Sequence, residues 1–95
     1  ELRRALDLDP RLAGANTALG VVLAATGRRN EAIDAWKRAV DIDPAELNAL
    51  FNVTVNLAAA GRGAEARQYG ERFLAAAPPA MPDRDQIRKI LDAIR

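Results

Sequence analysis

The chain has 95 residues, 28% of them charged, a net charge of +1, and neither cysteine nor histidine. This length makes one small domain with a modest core. The near-neutral balance removes any global pull toward nucleic acid or an anionic membrane, and zero Cys excludes disulfides and thiolate metal sites. No apolar run approaches the ~20 residues that span a bilayer. Twelve Arg stand against two Lys in an Ala-rich chain, a bias that points to a GC-rich bacterial genome; the residues leave the compartment open.

Read from the N-terminus, the first segment predicts a helix over 1–8 that carries Leu2, Leu6 and Leu8 and stops at Pro10. A chain that opens on the end of such a unit reads as a piece of a longer protein. A second helix is predicted over 13–26, closed by Gly27, which can supply the left-handed residue that ends a helix. A third runs over 29–42 and meets Pro44. A fourth covers 47–60 and is closed by Gly61, and a fifth covers 63–75 and meets Pro78 and Pro79. After Pro82, Asp83 and Gln86 read as a capping box for a last helix over 83–94. Its Ile87, Ile90, Leu91 and Ile94 stand at i, i+3, i+4 and i+7, an apolar stripe expected to pack on Phe73, Leu74 and the helix around Leu57. Connections of a few residues make successive helices antiparallel neighbours. No stretch alternates as a strand would.

Pro10, Pro44 and Pro78 are 34 residues apart, and their surroundings align. Leu6-Asp7-Leu8-Asp9-Pro10 returns as Val40-Asp41-Ile42-Asp43-Pro44; Gly27 matches Gly61, Glu31-Ala32 matches Glu65-Ala66, and Leu23-Ala24-Ala25 matches Leu57-Ala58-Ala59. A fixed period of this size means a solenoid whose units bury their apolar faces only against neighbours. Within a unit, bulky Leu19, Leu23 and Trp36 alternate with small Gly20, Ala32 and Ala39, so that backbones can approach closely. In the second unit Gly70 and Phe73 stand where Trp36 and Ala39 stand in the first, and Thr54 replaces Gly20. The exchange moves the bulk toward whatever follows.

The 34-residue unit, with Leu19-Gly20, Gly27, Glu31-Ala32, Trp36, Ala39 and Asp43-Pro44 in order, resembles the tetratricopeptide repeat (TPR). Sel1-like repeats carry a longer, more variable unit. The resemblance implies an all-α, α-α superhelix of helical hairpins with a C-terminal capping helix. Residues 1–10 would be the trailing helix of a preceding repeat, 13–46 a repeat, 47–78 a divergent terminal repeat and 83–95 the cap, all in one domain over 1–95. It also implies a concave face built from the first helix of each repeat, here Gly14, Thr17, Ala18, Val21, Ala24 and Ala25 with Asn48, Phe51, Asn52, Val55, Ala58 and Ala59. Of these, Thr17, Val21, Asn48, Phe51, Asn52 and Val55 are the candidate partner-binding residues. Asn48 and Asn52 lie i, i+4, and their amides can bond both donors and acceptors of an extended backbone. Phe51 either anchors an apolar partner side chain or packs within the stack. TPR domains that clamp acidic C-terminal tails resemble one another in carrying Lys and Arg on this face. Here Gly14, Thr17 and Val21 take those places, so a carboxylate would meet no charged partner.

Chemistry is not expected. Ser is absent too, and no imidazole could activate Thr17, Thr26, Thr54 or Tyr69. The pairs Asp7/Asp9 and Asp41/Asp43 recur with the repeat and read as helix-ending, turn-starting residues rather than metal ligands. The Arg residues fall at turns and on second helices, without the interleaved aromatics of a nucleic-acid surface. The expected function is a non-catalytic scaffold that takes a peptide or helix of a partner protein in its groove, with no cofactor, metal, nucleic acid or membrane. The alternative is a structural or oligomerisation appendage of a larger bacterial protein. Phe73-Leu74-Ala75-Ala76-Ala77-Pro78-Pro79 before a final helix is similar to the tails of some sulfatase-type proteins. The apolar 1–8 end also offers a route to a homodimer.

Overall fold

Glycine punctuation builds the fold. At the end of the first described helix, Gly27 takes φ +83°, the amide of Arg28 donates to the Leu23 carbonyl at 2.8 Å, and that of Gly27 donates to Ala24 at 3.1 Å. Thirty-four residues later Gly61 takes φ +77°, Arg62 donates to Leu57 at 2.9 Å and Gly61 to Ala58 at 3.1 Å. Both are Schellman closures, which satisfy carbonyls that a helix end would leave bare and turn the chain back on itself. The sequence period is therefore a geometric period.

The structure, a computed structural model, describes residues 11–94. The expected helix over 1–8, and with it Asp7, Asp9 and the apolar Leu2, Leu6 and Leu8, lies outside the described residues. Five helices follow in order: α1 (Arg11–Ala25), α2 (Arg29–Ile42), α3 (Leu47–Ala59), α4 (Gly63–Ala76) and α5 (Asp83–Ala93). No strand occurs among the described residues. Consecutive helices pack on one another, and α5 lies on both α3 and α4. The radius of gyration, 12.9 Å, is close to the ~12 Å of a compact domain of this length.

One core runs through the stack. Trp36, only 1% exposed, sits with Ile33, Leu50, Val53, Leu57, Phe73 and Ile87. Its indole Nε1–H donates to the Thr17 carbonyl at 3.1 Å, so burial leaves no donor unpaired. The apolar stripe of α5 closes the far end as expected, with Ile87 and Leu91 joining the core beside Phe73 and Leu57. Asp43 behaves as a turn residue: its Oδ1 accepts from the Ala45 amide at 3.0 Å.

The capping box does not form. Pro82 already has helical angles, φ −60° and ψ −30°, and no side chain caps α5. The Arg84 and Asp85 amides donate to Met81 and Pro82 at 3.2 and 3.1 Å, a tight entry turn. Asp83 is therefore inside the helix, where a cap residue would need extended angles; it and Asp85 still oppose the positive helix end. What fastens α5 is arginine. Arg67 donates to the carbonyls of Leu91 (3.1 Å) and Ile94 (3.3 Å), and Arg84 to those of Leu74 and Ala77.

Between the two hairpins, Glu65 accepts from Arg62 Nε at 2.8 Å and from Lys37 Nζ at 2.7 Å. The Arg62 bond first, then the Lys37 bond, hold its carboxyl below the ordinary value of 4.5. A depressed carboxylate stabilises the fold above that value, and the contribution disappears as pH falls through the folded pKa. The groups are partly exposed, which keeps the effect below ~1 kcal/mol. Wild type should be more stable than Glu65→Gln at pH 7, and urea melts should show the gap closing below about pH 4.5 and in 1 M salt. A gap unchanged down to pH 3 contradicts this role for Glu65.

Candidate functional site

Beyond Arg11 at the start of α1, two helices are built without charged residues. No Asp, Glu, Lys or Arg occurs from Leu12 to Ala25 or from Leu47 to Ala59. On α1 the exposed row Gly14, Ala18, Val21, Ala25 recurs on α3, at an offset of 34, as Asn48, Asn52, Val55, Ala59. Spacings of four, three and four residues keep each row on one side of its helix.

The candidate residues divide. Val21 is half exposed, at 50%, and Asn48 is exposed; Asn52 and Val55 are half-buried. Among the described residues no hydrogen bond engages the side-chain amide of Asn48 or Asn52, whereas Asn56 spends its amide on the Asn52 carbonyl at 2.9 Å. Thr17 does not belong to this surface. It is 7% exposed, and its hydroxyl donates to the Ala13 carbonyl at 2.9 Å, because its side chain points into the seam that α1 shares with Trp36. Phe51 falls between: half-buried, it rests on the core and meets the Phe73 ring at 5.8 Å between centroids and 58° between planes. The packing role takes most of that side chain.

A residue not singled out in the sequence lies beside the face. Glu46, just before α3, brings Oε2 to 3.3 Å from the Thr17 hydroxyl and to 4.0 Å from where a Cβ on Gly14 would stand. It comes from a turn, and no helical spacing ties it to residues about 30 positions earlier.

Two concavities lie elsewhere. One of about 520 Å³ opens between the turns, against Gly27, Arg28, Arg29, Asn30, Glu31 and Ala60. Another, about 300 Å³, is lined by Leu19, Leu23, Glu31, Asp34 and Arg38. The first is bounded by solvated charges. The second marks the flank of α1 where Leu19 is 44% and Val22 is 59% exposed. The same flank of α3 is covered: Val53 and Leu57, equivalent to Leu19 and Leu23, are fully buried. Among the described residues no cluster of three or more acidic side chains could hold a metal ion. No described helix is long and apolar enough to cross a membrane.

No family model matches the chain, and none of the curated proteins compared with it is significantly similar.

Proposed function

We propose that this chain is a tetratricopeptide-type protein-interaction module, its helical hairpins stacked as a superhelix, which holds a peptide segment of a partner protein on the face shared by α1 and α3. The observation that carries the reading is the doubled row at an offset of 34: two lines of small, apolar and amide side chains, uncharged, exposed on α1 and exposed to half-buried on α3. Small residues let a ligand backbone approach, valines supply apolar contact, and Asn48 and Asn52 offer donors and acceptors. Recurrent hairpin closures at Gly27 and Gly61 support the repeat assignment. Peptides selected from a random library on wild type should bind Val21→Glu/Asn52→Asp at least tenfold more weakly, with circular dichroism unchanged. Equal binding to both proteins rules the face out.

A second reading rests on the exposed flank of α1. On α3 the position equivalent to Leu19, Val53, is fully buried, so the exposed Leu19, with Val22 beside it, fits a surface that another helix covers. On this reading the chain is a structural or oligomerisation appendage of a larger protein, of which a sulfatase-type bacterial enzyme is one candidate. Sedimentation as a monomer from micromolar to millimolar concentration would remove the homodimer.

A further inference from the structure

We propose that α5, besides closing the core, supplies a third row to the α1–α3 face, so that an extended peptide of a partner crosses three helices and ends against Gln86 and Lys89; this rests on the reading of that face as a peptide site. Register carries the inference. Met81, Ile87 and Leu91 stand 34 residues after Leu47, Val53 and Leu57, and each pair shares its burial. Met81 and Leu47 rest half-buried against the core, and the other four lie within it. α5 therefore turns inward the same side that α3 does. Carrying the α3 row Asn48, Asn52, Val55, Ala59 forward by the same 34 residues gives Pro82, Gln86, Lys89, Ala93. All four are exposed, and Pro82 belongs to the spiral because its angles are already helical. α5 packs directly on α3, so the two rows are neighbours. Their chemistry is continuous as well. Gln86 takes the place of Asn52, and amides on adjacent helices can bond donors and acceptors of one peptide backbone. Lys89 takes the place of Val21 and Val55: its aliphatic stem offers the apolar contact while its ammonium stays in water. A strand laid across the helices meets every row. Packed helix axes lie about 8–10 Å apart, which about three extended residues span. A ligand that reaches α5 is therefore about three residues longer than one confined to α1 and α3.

The probe is the tightest-binding peptide selected on wild type from a random twelve-residue library, labelled for fluorescence polarisation. Gln86→Ala/Lys89→Ala should bind it about tenfold more weakly. Arg88→Ala/Asp92→Ala, about a third of a turn round α5 from the middle of the row, should bind it as wild type does. Shortening the probe by three residues at the end that reaches α5 should cost wild type a similar factor and remove the sensitivity to Gln86→Ala/Lys89→Ala. Shortening it at the other end should leave that sensitivity intact. If Gln86→Ala/Lys89→Ala binds the full probe like wild type, or if both α5 variants weaken it equally, the third row is overturned while the α1–α3 face remains a peptide site. If Val21→Glu/Asn52→Asp keeps the affinity of wild type, the face itself is wrong and the third row falls with it. Thermal melts identify any variant that fails to fold, and Gln86→Ala, a single change at an exposed helix position, then decides alone.

Discussion

Gly20→Ala is expected to destabilise the domain by about 2–3 kcal/mol, although alanine is the better helix former by ~1 kcal/mol. A Cβ at Gly20 would stand 2.5 Å from Cε2 and 2.7 Å from Cδ1 of Trp36, and closer still to Nε1. Neither side can give. Trp36 is sealed in the core, with its indole donating to the carbonyl of Thr17, and moving the ring breaks that bond in a place water does not reach. Trp36→Ala should cost more, about 3–5 kcal/mol, a large share of the ~5–15 kcal/mol that holds a small domain together. The decisive measurement is the double mutant. In a Trp36→Phe background the pyrrole edge that meets position 20 is gone, so Gly20→Ala should become neutral or mildly stabilising. Urea midpoints would read the coupling. If Gly20→Ala costs the same in both backgrounds, the close approach of α1 to Trp36 is not what excludes a side chain there.

The alternation of Gly20 with Trp36 could be read from the sequence because large and small residues at helical spacing are a local pattern. The helix ends were readable for the same reason. Gly27 and Gly61 end their helices through their own backbone freedom, and the five described helices lie within about two residues of where the punctuation puts them. The α5 cap shows where local reasoning stops. Asp83 and Gln86 have the spacing of a capping box, yet Pro82 enters with helical angles and removes the extended residue that the box needs. The face shows it again. Val21 and Asn48 are exposed and Asn52 and Val55 half-buried, on rows that the repeat spacing keeps to one side of each helix. Thr17, one residue from the exposed Ala18, turns inward to the indole seam, and Phe51 leans on a ring 22 positions away. Glu46 reaches α1 from a turn. Contacts across helices have no period in the sequence, which is why sequence reading puts Thr17 on the face, leaves Phe51 open between two roles and misses Glu46.

Leu91→Ala should lower stability by about 2–4 kcal/mol, and it should change the sign of a second substitution. Gly70 occupies in the second hairpin the place Trp36 holds in the first, and the bulk missing from it comes from α5. A Cβ on Gly70 would meet Leu91 Cδ2 at 2.9 Å and Cδ1 at 3.3 Å, with Thr54 Cγ2 at 3.2 Å. In wild type, Gly70→Ala sets a gain in helix propensity of ~1 kcal/mol against the displacement of Leu91, and a net loss is expected. With Leu91→Ala both leucine methyls are gone, the nearest atom among them, and the Thr54 methyl at 3.2 Å is what stays close. Gly70→Ala should then refill part of the cavity and restore about 1 kcal/mol. Arg67 and Arg84 go on holding α5 through backbone carbonyls in every variant, so the helix stays docked while the seam beneath it is changed. A thermodynamic cycle from urea melts of the four proteins gives the coupling directly. Equal effects of Gly70→Ala in the presence and absence of the Leu91 side chain would mean that α5 does not supply the bulk the second hairpin lacks.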